Sequence, residues 1–411
     1  MTIFTNKHIL LGVTGSIAAY KAVELASKLT QAGALVDVIL TGAAGKFVTP
    51  LTFQSVTGRQ AFTDADLWGG QAHVLHVGLG HSAELMAIAP CTANTLAKLA
   101  HGIADNLLTI TALAACGERS RTIQCPLLIA PAMDVDMYTN PVTQDNLRIL
   151  SERGVYFAGP AEGRMASGLV GMGRLLEPAE LLGHLRLVLG RAGRLAGKKI
   201  VVTAGGTQEP LDPVRVLTNR SSGKQGYALA QAALDAGGTV ILASAPVALT
   251  PPVGARFIPV STAQEMLETV LAESAGADAL VMTAAVADFR PKQVAENKLK
   301  KRDGIPQLEL EAAPDVLAAV AAMGSLRPRV VIGFAAESRD LLENAAIKLK
   351  SKKLDMIVAN DISAPDSGFG VDTNRVTLLF SDAKEQPLPL MRKDELAETI
   401  IAHLATLLET K

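Results

Sequence analysis

Short apolar runs that end near glycine alternate with amphipathic stretches along the whole chain. The first run, HILLGV (8–13), has the pattern of a strand buried on both faces. Gly15 and Ser16 follow, and IAAYKAVELASKLTQAG (17–33) then repeats its apolar positions at helical spacing up to a stop at Gly33. ALVDVILT (34–41) reads as a second strand. Together these make a βαβ unit, which predicts parallel pairing with a right-handed crossover. The same order restarts near residue 198. KKIVVTAGG (198–206) reads as a strand, SSGKQGYALAQAALDAGG (221–238) as a helix opened by a cap-like serine pair, and TVILAS (239–244) as the next strand. Further strands are predicted at 84–90 and 125–132 in the first half, and at 277–287, 328–336 and 354–360 in the second. Between the halves, the amphipathic segment 182–199 is interrupted by Gly183, Gly190, Gly193 and Gly197. We expect a first domain over 1–187, a linker over 188–197 and a second domain over 198–411. Each is an α/β domain, an open, mainly parallel sheet flanked by helices. Ligands of such sheets sit beyond the carboxyl ends of the strands, so chemistry is sought there.

Composition narrows the partners. The 411 residues suffice for two or three domains. Basic and acidic residues number 39 and 40, and a net charge of −1 provides no broad surface for a polyanion, so no nucleic acid is expected as a partner. Cys91, Cys116 and Cys125 form no CxxC pair, which points to a reducing, cytoplasmic setting rather than a disulfide scaffold or zinc ribbon. The N-terminal stretch meets glycine and serine too early for a signal-peptide core. No uncharged apolar stretch reaches the roughly 18 residues that span a bilayer, so no membrane is expected either.

Three predicted strand ends in the first half carry small polar residues. Gly12, Gly15 and Ser16 form a turn into a helix, where backbone N–H groups favour a phosphate. The spacing is G-x-x-G rather than G-x-G-x-x-G, and the second strand ends in Thr41 with no acid for a ribose hydroxyl. A nicotinamide dinucleotide therefore fits poorly, a mononucleotide such as FMN fits better, and a tight turn without ligand stays open. APCTANT (89–95) places Thr92, Asn94 and Thr95 at a helix entry, more than N-capping alone requires. APAMD (130–134) ends the third strand with Pro131. His73, His76 and His81 lack a carboxylate or cysteine at a supporting metal-ligand spacing, so an ordinary structural histidine is the default for each.

In the second half, TAGGTQEPLDPVRVLTNRSSGKQG (203–226) departs from a P-loop twice. Thr218 stands in place of its first glycine, and Gln225 follows Lys224. Such a loop either holds an anion at the next helix or only caps it. Asp288 lies past an apolar strand, where a carboxylate suits a metal ion or a ribose. Lys298, Lys300, Lys301 and Arg302 are either a solvated basic hairpin or neutralise a triphosphate. Phe334 can stack on a base, and Lys348 and Lys352 share one helix face.

GVTGSIAAYK, LHVGLG, APCTANT and PAMD resemble the FMN-dependent cysteine decarboxylases, whose fold is Rossmann-like. The resemblance implies FMN contacts at Gly15, Ser16, Ile17, Thr41, Thr92, Ala93 and Asn94, and a catalytic role for His76. It also implies a substrate-covering loop over 163–178. Two residues depart from the family pattern: Asp134 stands for an asparagine of the PAMN motif, and Ser167 for a flap cysteine that donates a proton. The second half resembles phosphopantothenate–cysteine ligases through GGT-x-EPLDPVR, TNRSSGKQG, AAVADFRP, K-x-KK and GFAAE. This implies that Asn219 binds the acyl-nucleotide intermediate and that Lys298 acts on the triphosphate. The implied CTP contacts are Met282, Thr283, Ala284, Asp288, Lys298, Pro314, Asp315, Val316, Leu317, Phe334, Lys348 and Lys352, with Mg²⁺ accompanying CTP and Asp288 its candidate ligand.

A decarboxylase followed by a ligase resembles the bifunctional enzymes of coenzyme A biosynthesis. That implies two Rossmann-like domains, 4′-phosphopantothenate, L-cysteine and CTP as substrates, and a homo-oligomer that builds a dodecamer from flavin trimers and ligase dimers. Two alternatives stay open: a CTP-dependent ligase with a silent FMN-binding or oligomerising first half, and a nicotinamide-dependent oxidoreductase.

Overall fold

The computed structural model describes residues 3–68, 74–116, 118–119, 122–123, 125–301, 306–337, 340–361 and 370–410. His73 and Arg302 lie outside these described residues. The chain divides into two compact units, Met1–Leu189 and Gly190–Lys411. Both are mixed α/β, as the sequence pattern predicts.

The main sheet of the first unit contains β1 (His8–Val13), β2 (Leu35–Leu40), β3 (Ala61–Phe62), β4 (Leu85–Cys91), β5 (Leu127–Pro131) and β6 (Tyr156–Phe157). Their order is β3-β2-β1-β4-β5-β6, and every neighbouring pair is parallel. Side-chain alternation explains the unbroken apolar runs. Ile9, Leu11 and Val13 face one core with Leu25 and Leu29 of the helix Ala19–Gln31, whereas Leu10 faces a second core with Leu96, Leu107 and Leu108. The order reverses between β1 and β4, so their carboxyl ends flank the topological switch point. The helix Pro178–Gly190 runs through Gly183 without a break, because Leu181, Leu185 and Val188 anchor it to the first core.

The second unit repeats the plan. Its sheet contains β7 (Lys199–Ala204), β8 (Thr239–Ser244), β9 (Arg256–Pro259), β10 (Ala279–Met282), β11 (Val330–Glu337), β12 (Met356–Asp361), β13 (Val376–Phe380) and β14 (Glu385–Pro387). The order is β9-β8-β7-β10-β11-β12-β13-β14. The first six strands are parallel, and β13 and β14 extend the sheet antiparallel. Two expectations change here. The strand predicted over 277–287 ends at Met282, because the buried Thr203 Oγ1 accepts from the N–H groups of Thr283 and Ala284 and draws the chain out of the ladder. The serine pair does not cap the next helix. Gly223, at φ 72°, is the residue before Lys224–Asp235, and Ser221 Oγ accepts from its N–H instead.

Candidate active sites

A cavity of about 780 Å³ opens beyond the carboxyl ends of β7, β10 and β11. Its floor is the segment after β10. Ala285 N–H donates to Gly205 O at 2.8 Å, and Ala287 N–H donates to Thr207 Oγ1 at 2.9 Å. The Asn219 amide donates to the carbonyls of Ala285 and Val286 at 3.3 and 3.1 Å. With Thr203 Oγ1, these three groups fix the Met282–Asp288 wall before any ligand enters. The helix Lys224–Asp235 points its N-terminus at the same space. It sits hard against β7: a Cβ on Gly226 would lie 2.6 Å from Ala204 Cβ and 2.8 Å from Thr203 O.

Opposite this wall, Asp315 caps the helix Val316–Ala321 and accepts from Ala318 N–H at 2.9 Å. Lys352 Nζ reaches Asp315 Oδ2 at 2.6 Å, and Lys348 Nζ donates to Phe334 O at 3.1 Å. Burial works against the Asp315 charge, but Lys352, the Ala318 N–H and Lys348 outweigh it and hold the carboxyl below the usual range. Of the residues implied for CTP, Met282, Thr283, Ala284, Asp288, Pro314, Asp315, Val316, Leu317, Phe334, Lys348 and Lys352 all line the cavity, as does Asn219. Lys298 does not line it. The sequence reading did not single out the polar lining residues Asn360, Asn374 and Lys393. Asn360 lies within β12 near its carboxyl end, where the strand-end rule would have found it. Asn374 belongs to the separate antiparallel pair Thr373–Asn374/Met391–Arg392 and Lys393 opens the helix Lys393–Thr410, both outside the main sheet that the rule covers. They are tied to the first turn of Lys224–Asp235, since Gln225 Oε1 accepts from Asn374 and Gln225 Nε2 donates to Lys393 O.

The cavity wall carries Lys224, Lys348, Lys352 and Lys393 against Asp288 and Asp315. Lys224 also pairs with Asp372 at 2.6 Å, and burial followed by the nearby Lys224 charge lowers the Lys393 pKa. A site with excess positive charge, a helix N-terminus and an aromatic ring suits a nucleoside polyphosphate.

In the first unit, the parallel sheet puts Gly15, Ser16, Ile17, Thr41, Thr92, Ala93, Asn94 and Asp134 past carboxyl ends on one rim. Thr14 joins the two strands at the switch point: its hydroxyl donates to Pro90 O at 2.7 Å and accepts from Thr92 N–H at 3.0 Å. Thr92 then caps the helix Ala93–His101, and Thr41 Oγ1 accepts from Ala44 N–H at 3.3 Å. Gly15 is required by contact, since a Cβ there would lie 2.5 Å from Ala43 Cβ and 3.0 Å from its backbone carbon. Closely approaching backbone, hydroxyls and two helix N-termini fit a single phosphate group.

The structure brings together the two departures from the decarboxylase pattern. Ser167, in the turn of the hairpin Ala161–Arg164/Val170–Arg174, donates its hydroxyl to Asp134 Oδ2. The hairpin is docked there by Met133 N–H on Gly173 O at 3.0 Å, and a Cβ on Gly173 would clash with Met133 O. Its base is held by the buried Lys21, whose ammonium bonds Leu175 O at 3.1 Å and Glu177 Oε1 at 2.8 Å. His76 is half-buried in the helix Leu75–Ser82, which packs on Leu107–Ala115 where Gly80 meets Ala115. Among the described residues no hydrogen bond ties His76 to the rim, and no group of three His, Cys, Asp or Glu side chains is placed to hold a metal ion.

The two units together match a two-part flavoprotein. Residues 3–187 match the family model described as Flavoprotein, and 195–408 match the DNA/pantothenate metabolism flavoprotein C-terminal domain. The chain is 45% identical over 405 residues to the coenzyme A biosynthesis bifunctional protein CoaBC of Bacillus subtilis (strain 168), covering 98% of this chain and 97% of that one. It is 42% identical over 410 residues to the protein of the same name from Vibrio vulnificus (strain CMCP6), covering 99% and 100%. A solved structure, the C-terminal domain of coenzyme A biosynthesis bifunctional protein CoaBC, is 40% identical with a TM-score of 0.46, covering 53% of this chain and all of that one. The chain belongs to the CoaBC family of bifunctional coenzyme A biosynthesis proteins. Among the described residues no helix is long and apolar enough to cross a membrane.

Proposed function

We propose that the chain performs two successive steps. In the second unit, the 4′-phosphopantothenate carboxylate attacks the α-phosphate of CTP, releasing pyrophosphate and forming an acyl-cytidylate. The amine of L-cysteine then displaces CMP to give 4′-phosphopantothenoylcysteine. A carboxylate is a poor electrophile, and the mixed anhydride supplies the leaving group. The observation that carries this reading is the lysine-rich cavity over the helix Lys224–Asp235, with Asn219 bonded into its opposite wall. Lys348, Lys352 and the helix N-terminus stabilise phosphate charge, Phe334 stacks on the base, and Asp288 is the carboxylate available to the Mg²⁺ carried by CTP. Lys298 belongs to the same step as the lysine that acts on the triphosphate.

In the first unit the product loses CO₂ to become 4′-phosphopantetheine. FMN, when bound, supplies the two-electron oxidation of the cysteinyl thiol and its reversal that allow this loss. Gly15, Ser16 and Thr92 hold the phosphate, and Ile17, Thr41, Ala93 and Asn94 complete the rim. His76 accepts and returns a proton at the reacting centre. Ser167 Oγ, bonded to Asp134 Oδ2, carries the proton on the covering hairpin. Exchanging both residues, Asp134→Asn with Ser167→Cys, is therefore expected to change decarboxylation of supplied 4′-phosphopantothenoylcysteine by less than about threefold, far below the usual worth of a general acid. A tenfold gain would mean that the native pair lacks this role and that the first unit is a silent flavin domain.

We also infer a homo-oligomer working in the cytoplasm. Trp68 is 88% exposed, and Ile17, Tyr20 and Leu51 are more than half exposed. In the second unit the hairpins Gln208–Pro210/Val216–Thr218 and Phe289–Pro291/Leu310–Ala312 expose Val216, Leu217, Phe289 and Leu310. Apolar surface of this kind marks association sites. Light scattering is expected to give a mass several times that of one chain, with a dodecamer as the full assembly; an active monomer would contradict it.

A further inference from the structure

The EPLDPVR motif holds a buried carboxylate that the chemistry above does not use. Asp212 lies in the turn of the hairpin Gln208–Pro210/Val216–Thr218, yet its side chain is fully buried. Oδ1 accepts from the N–H groups of Val214 and Arg215 at 2.8 and 2.9 Å, and Oδ2 accepts from Arg215 Nε at 2.9 Å. Those bonds are local to the turn. Two others are not. Leu299 N–H donates to Asp212 Oδ2 at 3.1 Å, and Arg215 Nη2 donates to Leu299 O at 2.6 Å. Ala295 N–H adds a bond to Leu211 O at 3.1 Å. A single acid–base pair therefore grips both backbone groups of Leu299, the residue between Lys298 and Lys300. Leu299 is half-buried, whereas both lysines are exposed.

Closing the turn requires only the local bonds. The grip on Leu299 fixes where the Lys298 side chain starts and leaves its ammonium free to reach. Lysine carries large rotamer entropy on a four-carbon stem, so a fixed origin is what makes its reach reproducible. We propose that Asp212 is a positioning residue of the CTP-dependent step: with Arg215 it clamps the Leu299 backbone and so sets Lys298 toward the triphosphate. This rests on the reading of Lys298 given above.

The test is a double-mutant cycle in the full chain, following CMP release with CTP, 4′-phosphopantothenate and L-cysteine. Lys298→Ala is expected to lower kcat about 100-fold, and Asp212→Ala about 20-fold with the KM for L-cysteine unchanged. The double variant should be no slower than Lys298→Ala alone, because the clamp acts only through that lysine. Multiplying losses, or an Asp212→Ala effect below about twofold beside a damaging Lys298→Ala, would overturn the clamp. A harmless Lys298→Ala would instead overturn the reading of Lys298, and the clamp with it. Asp212→Asn, which keeps an oxygen for the turn N–H groups, covers a fold too weak to purify. Its tryptic cleavage at 298–301 should run at least about fivefold faster than in the native chain; an equal rate would likewise overturn the clamp.

Discussion

Replacing His76 by alanine stops the second step and spares the first. The variant is expected to convert 4′-phosphopantothenate, L-cysteine and CTP to 4′-phosphopantothenoylcysteine at the native rate. Decarboxylation of that product should fall by about 10³-fold, the usual worth of a positioned acid–base group. The imidazole sits on a helix docked tightly against Leu107–Ala115, where Gly80 leaves no room for a side chain, so its position is fixed by backbone packing. Truncation at the half-buried His76 removes little apolar contact, and the flavin spectrum of the variant should match the native one. Decarboxylation at more than about a tenth of the native rate would remove His76 from the chemistry.

Exchange of Asn219 for aspartate has the opposite selectivity. The native amide donates to Ala285 O and Val286 O, bridging the loop before the helix Lys224–Asp235 and the wall after β10. A carboxylate cannot donate there. It would face two carbonyl oxygens and the polyphosphate, so the loop swings away and negative charge enters the site. CMP release is expected to drop by about 10²- to 10³-fold, while decarboxylation of supplied 4′-phosphopantothenoylcysteine persists. Asn219→Ala should lose somewhat less, since it removes the bridge without adding charge. Equal rates for the aspartate variant and the native chain would show that the bridge is structural decoration.

The sheets were legible because β1, β2, β4, β5, β7, β8, β11 and β12 are buried over most of their length and are therefore mainly apolar, with Asp37 of β2 as an internal polar position. Ile9, Leu10 and Leu11 serve two different cores in succession, which only a parallel sheet covered on both sides allows. The strands that escaped notice are short or of another kind. Ala61–Phe62 and Tyr156–Phe157 are two residues each, too brief to show a period, and β13 and β14 break the alternation of strand and helix by pairing antiparallel. The run 277–287 looked like one strand because apolar residues continue past Met282. They continue as a cavity wall, pinned by Thr203 and Thr207 rather than by a ladder.

The sites divide in the same way. Residues at strand ends, such as Thr92, Asp134 and Met282, follow from the rule that parallel sheets bind ligands at one rim. Asp212 and Lys393 do not. Asp212 acts on a backbone 87 residues away, and Lys393 reaches the cavity because the start of the helix Lys393–Thr410 folds back to Gln225. Neither distance nor fold-back leaves a local pattern in the sequence. The Asp134–Ser167 hydrogen bond is similar: the two departures stand 33 residues apart and gain meaning only once the hairpin is docked by Gly173.

One incubation addresses the central claim most directly. The purified full chain is mixed with 4′-phosphopantothenate, L-cysteine, CTP and Mg²⁺, and the products are followed by mass spectrometry. The two-step account predicts that CMP and 4′-phosphopantetheine accumulate together, with 4′-phosphopantothenoylcysteine passing through a transient maximum. A reaction that halts at 4′-phosphopantothenoylcysteine in the presence of bound flavin would contradict it.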